Sequence, residues 1–361
     1  MNKLLNRYII LNYLKVILNF ILVFFSLGTL LALFQEIEFF KDLDVGIAKP
    51  ITLAITFVPN ELIKMLPFII FLATMWYLVN INNNKELISL KIFGFSNSKI
   101  IFLLSSTVFI LSILITLFVN PITSSMVKYY ENEKSKYARD VDHLISINKN
   151  GVWIKEKSQK FLNLVYAKEL KSNFLFDITI YKYEMSENNL IRIESENADI
   201  SDNKWILNNV KIYNSNQPEK IFQEERYNYS SVYNLNKINS SYKNLDTISF
   251  LYLINNYETL LNNGYNKNAI DTHLNSYLSL PVFLVLMVIL ASIFGLITRK
   301  KINNTYYIFT SILAVVLVYY FRDLSIALGQ TNKISIQLSV WMPLIAVSLF
   351  CSIGLIRLNE K

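Results

Sequence analysis

Residues able to carry chemistry are few in this 361-residue chain, which has two histidines, His143 and His273, and one cysteine, Cys351. Neither histidine belongs to an H-E-x-x-H pair. One thiol and two distant imidazoles cannot assemble a zinc site. None of the eight glycines is followed by lysine, so no P-loop cradles a phosphate. No G-x-S-x-G elbow presents a nucleophile, and a lone cysteine makes no intramolecular disulfide. The chain is therefore expected to be no enzyme and to hold no cofactor or metal of its own. What remains is charge beside apolar runs. Glu61 and Lys64, three residues apart on one helix face, are expected to pair, and Arg322 stands next to Asp323. An ion inside a membrane is a functional candidate by default. Pro59 is read as the start of the second span, with 47–58 lying along the surface. Both charged pairs then fall at the interface, where long side chains snorkel to water. His273 is expected just outside the fourth span, facing a partner or water.

These charges are positioned by six apolar runs of bilayer length, near 16–34, 60–80, 100–120, 278–298, 303–325 and 334–356. Hydrophobic residues make up 53% of the chain. Only helices or closed barrels satisfy their backbone in hydrocarbon, so these runs are expected to be helices. The first has no small-residue cleavage site and reads as a retained anchor. Eleven basic residues flank one side: Lys3, Arg7, Lys15, Lys85, Lys91, Lys99, Arg299, Lys300, Lys301, Arg357 and Lys361. Only Glu86 and Glu360 oppose them. The first loop on the other side carries Glu36, Glu38, Asp42 and Asp44 against Lys41. The excess of Lys and Arg puts both termini in the cytoplasm. The net charge of +8 is thus a topology signal, and nucleic acid is not an expected partner.

The one large polar region, 121–277, lies between the third and fourth spans and balances 19 basic against 19 acidic residues. "GVWIK", "FLNLVYA", "DITIYKY", "LIRIE" and "KWILNNVKIY" alternate with period two, the pattern of half-buried antiparallel strands in a sandwich or jellyroll. "SENN" and "SDNK" supply turns. Alternation places Val152, Ile154, Leu162, Leu164, Tyr166, Ile178, Ile180, Ile191, Ile193, Trp205 and Leu207 inside. It does not distinguish a closed core from an open slot. Residues 247–264 read as a helix ended by Gly264, and 267–277 lead helically into the fourth span. The expected architecture is an α-helical membrane protein of six transmembrane helices, with an all-β, jellyroll-like domain between helices 3 and 4. It divides into 1–120, 121–277 and 278–361.

The stretch "NNNKELISLKIFGFSNSKI" after the second span is too apolar for an ordinary loop. Asn82, Asn83 and Asn84 should end the span. A short helix at 85–94 should stop at Gly94 in a left-handed conformation, and Ser96 should cap the third span. Ile88, Ile92 and Phe95 share a stripe, with Leu87 and Leu90 beside it. Glu86 sits at the N-terminal end, where the helix dipole favours negative charge. Such a face is covered either by headgroups or by a protein groove.

"ELISLKIFGFSNSKI" resembles the signature that follows the second span in the LptF/LptG lipopolysaccharide-export permeases. "GVWIKEKSQKFLNLVYA" resembles the start of that family's β domain and leans toward the LptG type. "ISFLYLINNYETLLNNGYNKNAIDTHLNSYLSLP" resembles its return into the fourth span. The resemblance covers essentially the whole chain. It implies a permease subunit of an ABC transporter in the inner (cytoplasmic) membrane, multi-pass, with the β domain in the periplasm. The implied partners are a cytoplasmic ABC ATPase homodimer that binds the ATP, a second permease of the same family, a single-span jellyroll protein, a periplasmic bridge and the lipopolysaccharide itself. The short helix would be a coupling helix contacting the ATPase through Glu86, Leu87, Leu90 and Gly94. Lys41, Lys128 and Lys134 would meet lipid phosphates, and Leu164, Ile180 and Ile193 would line a lipid slot. The chain departs from the family pattern at Lys91, where arginine is frequent, and at Glu131, which occupies a basic position. The paralogous LptF-like subunit is the neighbouring assignment. A non-transporting membrane scaffold, its β domain bound to an envelope protein, is the alternative from another class.

Overall fold

The computed structural model describes residues 2–41, 43, 45–137, 143–148, 151–157, 161–171, 173–184, 189–216, 221–235, 238, 244–262, 265–297 and 304–359. The expected turn at 186–188, Gly264, and the charged residues at 42, 44, 299–301, 360 and 361 lie outside them. The chain divides into two compact units. One comprises Met1–Lys134, Asp246–Asn255 and Asn268–Lys361, and the other Ser135–Leu245 with Asn256–Lys267.

The first unit is helical. Its elements are α1 (Asn2–Phe40), α2 (Ala48–Asn83), α3 (Glu86–Ile92), α4 (Asn97–Leu114), a π-helical turn (Ile115–Val119), α5 (Asn120–Ser135) and α6 (Phe250–Asn255). After these come α8 (Lys267–Ile297), α9 (Asn304–Gln330) and α10 (Ile336–Asn359). Among the described residues six stretches are long and apolar enough to cross a membrane, as the sequence predicts, and several run well past the expected limits. Pro59 does not start the second span. It lies inside α2, and 48–58 pack rather than lie flat. Ala54 and Val58 are buried against Ala32, and a Cβ on Gly28 would come 3.1 Å from Val58. Small residues let the two backbones approach, the usual driving contact between helices in lipid. Tyr13 and Thr74 add a buried 2.6 Å hydrogen bond between α1 and α2.

Two helices carry the core. α2 and α8 each contribute buried residues to both main clusters: Ile70, Tyr77, Leu284 and Val288 to one, and Phe71, Met75, Phe283 and Met287 to the other. The most apolar window of α2 is 61% buried and that of α8 67%, against 11% for the first helix and 17% for the fifth. The first and fifth helices therefore turn most of their apolar surface outward, to be covered by lipid or by another helix.

The second unit is a seven-stranded antiparallel sheet of β1 (His143–Asn148), β2 (Gly151–Lys157), β3 (Phe161–Lys171), β4 (Phe174–Glu184), β5 (Asn189–Asp199), β6 (Lys204–Asn214) and β7 (Ile221–Ser230), plus the short helix α7 (Tyr257–Asn262). α6 and α7 replace the single helix expected over 247–264, with a break at Asn256. The strands pair in chain order without a crossover. β1 and β7 were not legible as strands. Neither alternates cleanly, and β7, "IFQEERYNYS", is exposed along most of its length.

Although the strands form one sheet, it is rolled. β2 and β7 are five strand spacings apart, about 24 Å if flat, yet Glu156 of β2 accepts a 3.2 Å hydrogen bond from Tyr229 of β7. The roll has a local cause. Asp177 and Asn209 take left-handed φ of 49° and 53° in mid-strand. With Lys168 and Glu196 they form a line across β3–β6 where ladder pairs are missing but the register is kept. At this line the buried face shifts phase by one residue: Ile178 to Leu175, Ser195 to Ala198, and Val210 to Leu207. Such mid-strand kinks bend a sheet.

Candidate functional site

The short helix is held in a fixed pose. α2 ends at Asn83, and Lys85 adopts a left-handed φ of 62° to turn the chain into α3. Gly94 has φ 80°. Its N–H reaches Lys91 O at 3.0 Å, while Phe95 N–H reaches Leu90 O at 3.0 Å. These two bonds are the Schellman pair that closes a helix on glycine. Ser96 caps α4 by accepting from Lys99 N at 3.2 Å. Leu87, Leu90 and Phe95 are all buried in the cluster containing Ile9, Tyr77, Ile81 and Ile100.

Of the residues expected to face an ATPase, Leu87 and Leu90 are buried in the chain's own bundle. Phe95 leaves the expected stripe for the same reason. The residues turned outward are Ile88 at 53% exposure, Lys91, and Ile92 at 78%, spaced i, i+3, i+4, with Phe93 beside them. Glu86 is half-buried in the first turn. Gly94 acts through backbone conformation, since nothing lies within 4 Å of a Cβ placed on it.

The three lysines expected to meet lipid phosphate separate. Lys41 and Lys128 are exposed. Lys134 has partners within the chain: its Nζ donates to Glu36 Oε1 at 2.8 Å and to Tyr130 OH at 2.7 Å, and lies 4.7 Å from the Phe39 ring centre. Glu36, counted from sequence as a loop charge, sits inside α1 and is 2% exposed. A carboxylate that deep needs a partner, and Lys134 supplies it. A second ion pair joins Lys49 of α2 to Glu133 of α5.

Glu61 and Lys64 pair as expected, at 2.8 Å, but Lys64 also holds Asp246 at 2.6 Å. Asn120, the residue after the π-helical turn, accepts from Phe250 N at 2.7 Å and donates to Tyr277 OH at 2.7 Å. Sequence reading missed Asp246 and Asn120. An asparagine between two apolar runs was the available signal. His273 is half-buried, its ring edge-on to Tyr277 at 5.0 Å.

In the β unit Ile180 and Ile193 are 0% and 2% exposed, in one cluster with Val152, Ile154, Val165, Ala167, Trp205 and Leu207. Leu164 is on the opposite face. β3 pairs Val165 with both Ile154 and Ile180, and Ala167 with both Val152 and Ile178, so the small residues point in. Both faces of "FLNLVYA" are apolar, which is why alternation misplaced Leu162, Leu164 and Tyr166. Tyr166 instead packs on Trp153, 4.6 Å between ring centres. Glu156, 4% exposed, closes the roll. Besides Tyr229, its carboxylate accepts from Ser231 Oγ and from Val232 N at 3.1 Å. Burial and this carboxylate push the Tyr229 phenol well above its ordinary value.

Six apolar helices interrupted after the third by an all-β unit are thus on hand, with a short locked helix following the second span. The family model for the lipopolysaccharide export system permease LptF/LptG matches residues 7–357. The chain belongs to the LptF/LptG family. That family is a transport permease of lipopolysaccharide export and not an enzyme. No curated protein matches the chain.

Proposed function

We propose that this permease is the LptG-like subunit of an ABC transporter that extracts lipopolysaccharide from the inner membrane and hands it to a periplasmic bridge. A separate cytoplasmic ATPase homodimer supplies the energy. The observation that carries this reading is α3: an exposed isoleucine pair on a helix locked at both ends. Burying Ile88 and Ile92 in a partner groove would contribute about 1.5–3 kcal/mol each. Because Leu87, Leu90 and Phe95 fix α3 to the bundle core, a push on the helix would move α2 and α4 instead of bending a loop. Glu86 and Lys91 flank the apolar pair as polar contacts. The outward apolar surfaces of the first and fifth helices suit a second permease of the family and a single-span partner.

Lys41 and Lys128 are the cations free to meet lipid phosphate in this reading, and Lys134 serves structure. A lipid route past Ile180 and Ile193 requires the roll to open, and the contacts to Glu156 are where it would part. Co-expression with candidate ATPases tests the proposal. Wild-type protein should retain an ATPase through purification, and Ile92→Asp should lose it while remaining folded. Equal retention by both would refute the role of α3.

A further inference from the structure

A cavity of about 430 Å³ lies between α2, α8 and α9 of the helical unit. That is within the range of small-molecule sites. One wall is apolar, with Ile63, Met65, Pro67, Leu280 and Ile326, and the rest carries Lys64, Asp246, His273, Arg322 and Asp323. Lys64 and Asp246 already neutralise each other at 2.6 Å. Arg322 and Asp323 do not pair with each other, nor with any other described residue. Adjacent residues on a helix point about 100° apart, so the neighbours cannot close an ion pair across their own backbone. The Arg322 guanidinium lies 5.0 Å from the Phe283 ring centre, and its buried Nε has no hydrogen-bond partner among the described residues. Nor has the buried Nε2 of His273. This is not the snorkelling expected from sequence, because a snorkelling arginine carries its head into water.

Depth fixes what could fill the cavity. At 1.5 Å per residue, Lys64 stands about 29 Å from the Asn83 end of α2, and Arg322 about 27 Å from the Asn304 end of α9. With hydrocarbon about 30 Å thick, both reach the headgroup layer of the leaflet opposite those ends. The cavity therefore offers one unpaired cation, one unpaired anion and an apolar wall at the level of lipid headgroups.

We propose that it binds a zwitterionic glycerophospholipid with a primary ammonium, of the phosphoethanolamine type. Arg322 takes the phosphate through its guanidinium, Nε included, and His273 Nε2 adds a polar contact. Asp323 accepts from the ammonium, and an acyl chain lies along Ile63, Leu280 and Ile326. A phosphate alone would leave Asp323 unmatched. A choline headgroup has no N–H to give it. The site belongs to a resident lipid of the bilayer, and the proposal does not depend on which cargo the permease carries.

The test uses the full-length protein, delipidated in detergent and offered equal amounts of dioleoyl phosphatidylethanolamine, phosphatidylcholine and phosphatidylglycerol. Retained lipid is read by native mass spectrometry. Wild type should retain the ethanolamine lipid at least about tenfold over choline, the scale of one lost hydrogen bond to a charged group. Asp323→Asn, at an exposed position, should abolish that preference while keeping lipid bound, and Arg322→Gln should reduce all retention to background. Arg322→Lys keeps the charge and should restore part of it if Arg322→Gln misfolds. No preference in wild type, or wild-type preference in Asp323→Asn, would overturn the proposal. Displacement of the ethanolamine lipid by purified lipopolysaccharide would also overturn it, by assigning the cavity to cargo.

Discussion

Replacing Glu156 with alanine should loosen one seam of the β roll and leave the helical unit unchanged. Four donors converge on this carboxylate: Tyr229 OH, Ser231 Oγ, Val232 N–H and, more weakly at 3.4 Å, Asn163 Nδ2. Deletion strands them in a site only 4% exposed at Glu156 itself. Each buried donor left unsatisfied costs about 1–3 kcal/mol. Water entering the space vacated would offset part of the total, leaving roughly 3–4 kcal/mol at the seam. Each 1.4 kcal/mol is a factor of ten in an equilibrium, so local opening there should rise about 100- to 1000-fold. Hydrogen–deuterium exchange on the full-length protein measures it directly, because exchange reports local opening free energies. Protection should fall by about that factor in peptides spanning 151–157 and 221–235 and stay unchanged in α2 and α8. Glu156→Gln, which keeps an acceptor and the volume, should lose less. Alanine-variant protection within about threefold of wild type would refute the idea that this carboxylate holds the roll closed.

Other predictions follow from the same contacts. Lys134→Met should destabilise the helical unit by about 3–5 kcal/mol, since it leaves Glu36 charged and buried. Adding Glu36→Gln should recover much of that in thermal melts, while Lys128→Ala, at an exposed site, should shift stability by less than about 0.5 kcal/mol. Burial raises the folded-state pKa of Tyr229 and Tyr233 above the ordinary 10.0. The neutral phenol is then favoured by folding, so its stabilisation is complete below pH 10 and is lost as pH rises beyond it. Absorbance at 295 nm should show delayed phenolate formation, followed by cooperative unfolding of the β unit. In a Cys351→Ser background, cysteine at Asn84 should label only from the cytoplasm and cysteine at Asn332 only from outside. The same side for both would break the six-span topology.

The helices were legible because long apolar runs and an uneven spread of Lys and Arg are one-dimensional signals. Their lengths were less so. α5 continues to Ser135 through polar residues because Lys134, Tyr130 and Glu133 find partners, and the sequence does not announce those pairings. Pro59 misled for a similar reason: proline interrupts the ladder of an isolated helix, yet it persists in α2, where Ala54 and Val58 pack against α1. In the sheet, alternation located five strands and the inward residues on four of them. It failed on β3, where both faces are apolar and only the register to Ile154 and Ile180 decides. The phase shift at Asp177 and Asn209 was hidden, since a left-handed residue in mid-strand carries no composition signal beyond being Asp or Asn. In the short helix the caps were readable from Gly94 and Ser96. Which leucines faced inward was not, because Leu87 and Leu90 are as apolar as Ile88 and Ile92, and only the neighbouring helices distinguish them.

The central claim is that α3 meets an ATPase through Ile88 and Ile92 while Leu87 and Leu90 hold it to the bundle. Photo-crosslinking in cells, with a benzophenone amino acid at each of the four positions in turn, tests it most directly. The account predicts adducts with an ABC ATPase at 88 and 92, and adducts confined to the protein itself at 87 and 90. ATPase capture at 87 or 90, or only lipid adducts at 88 and 92, would contradict it.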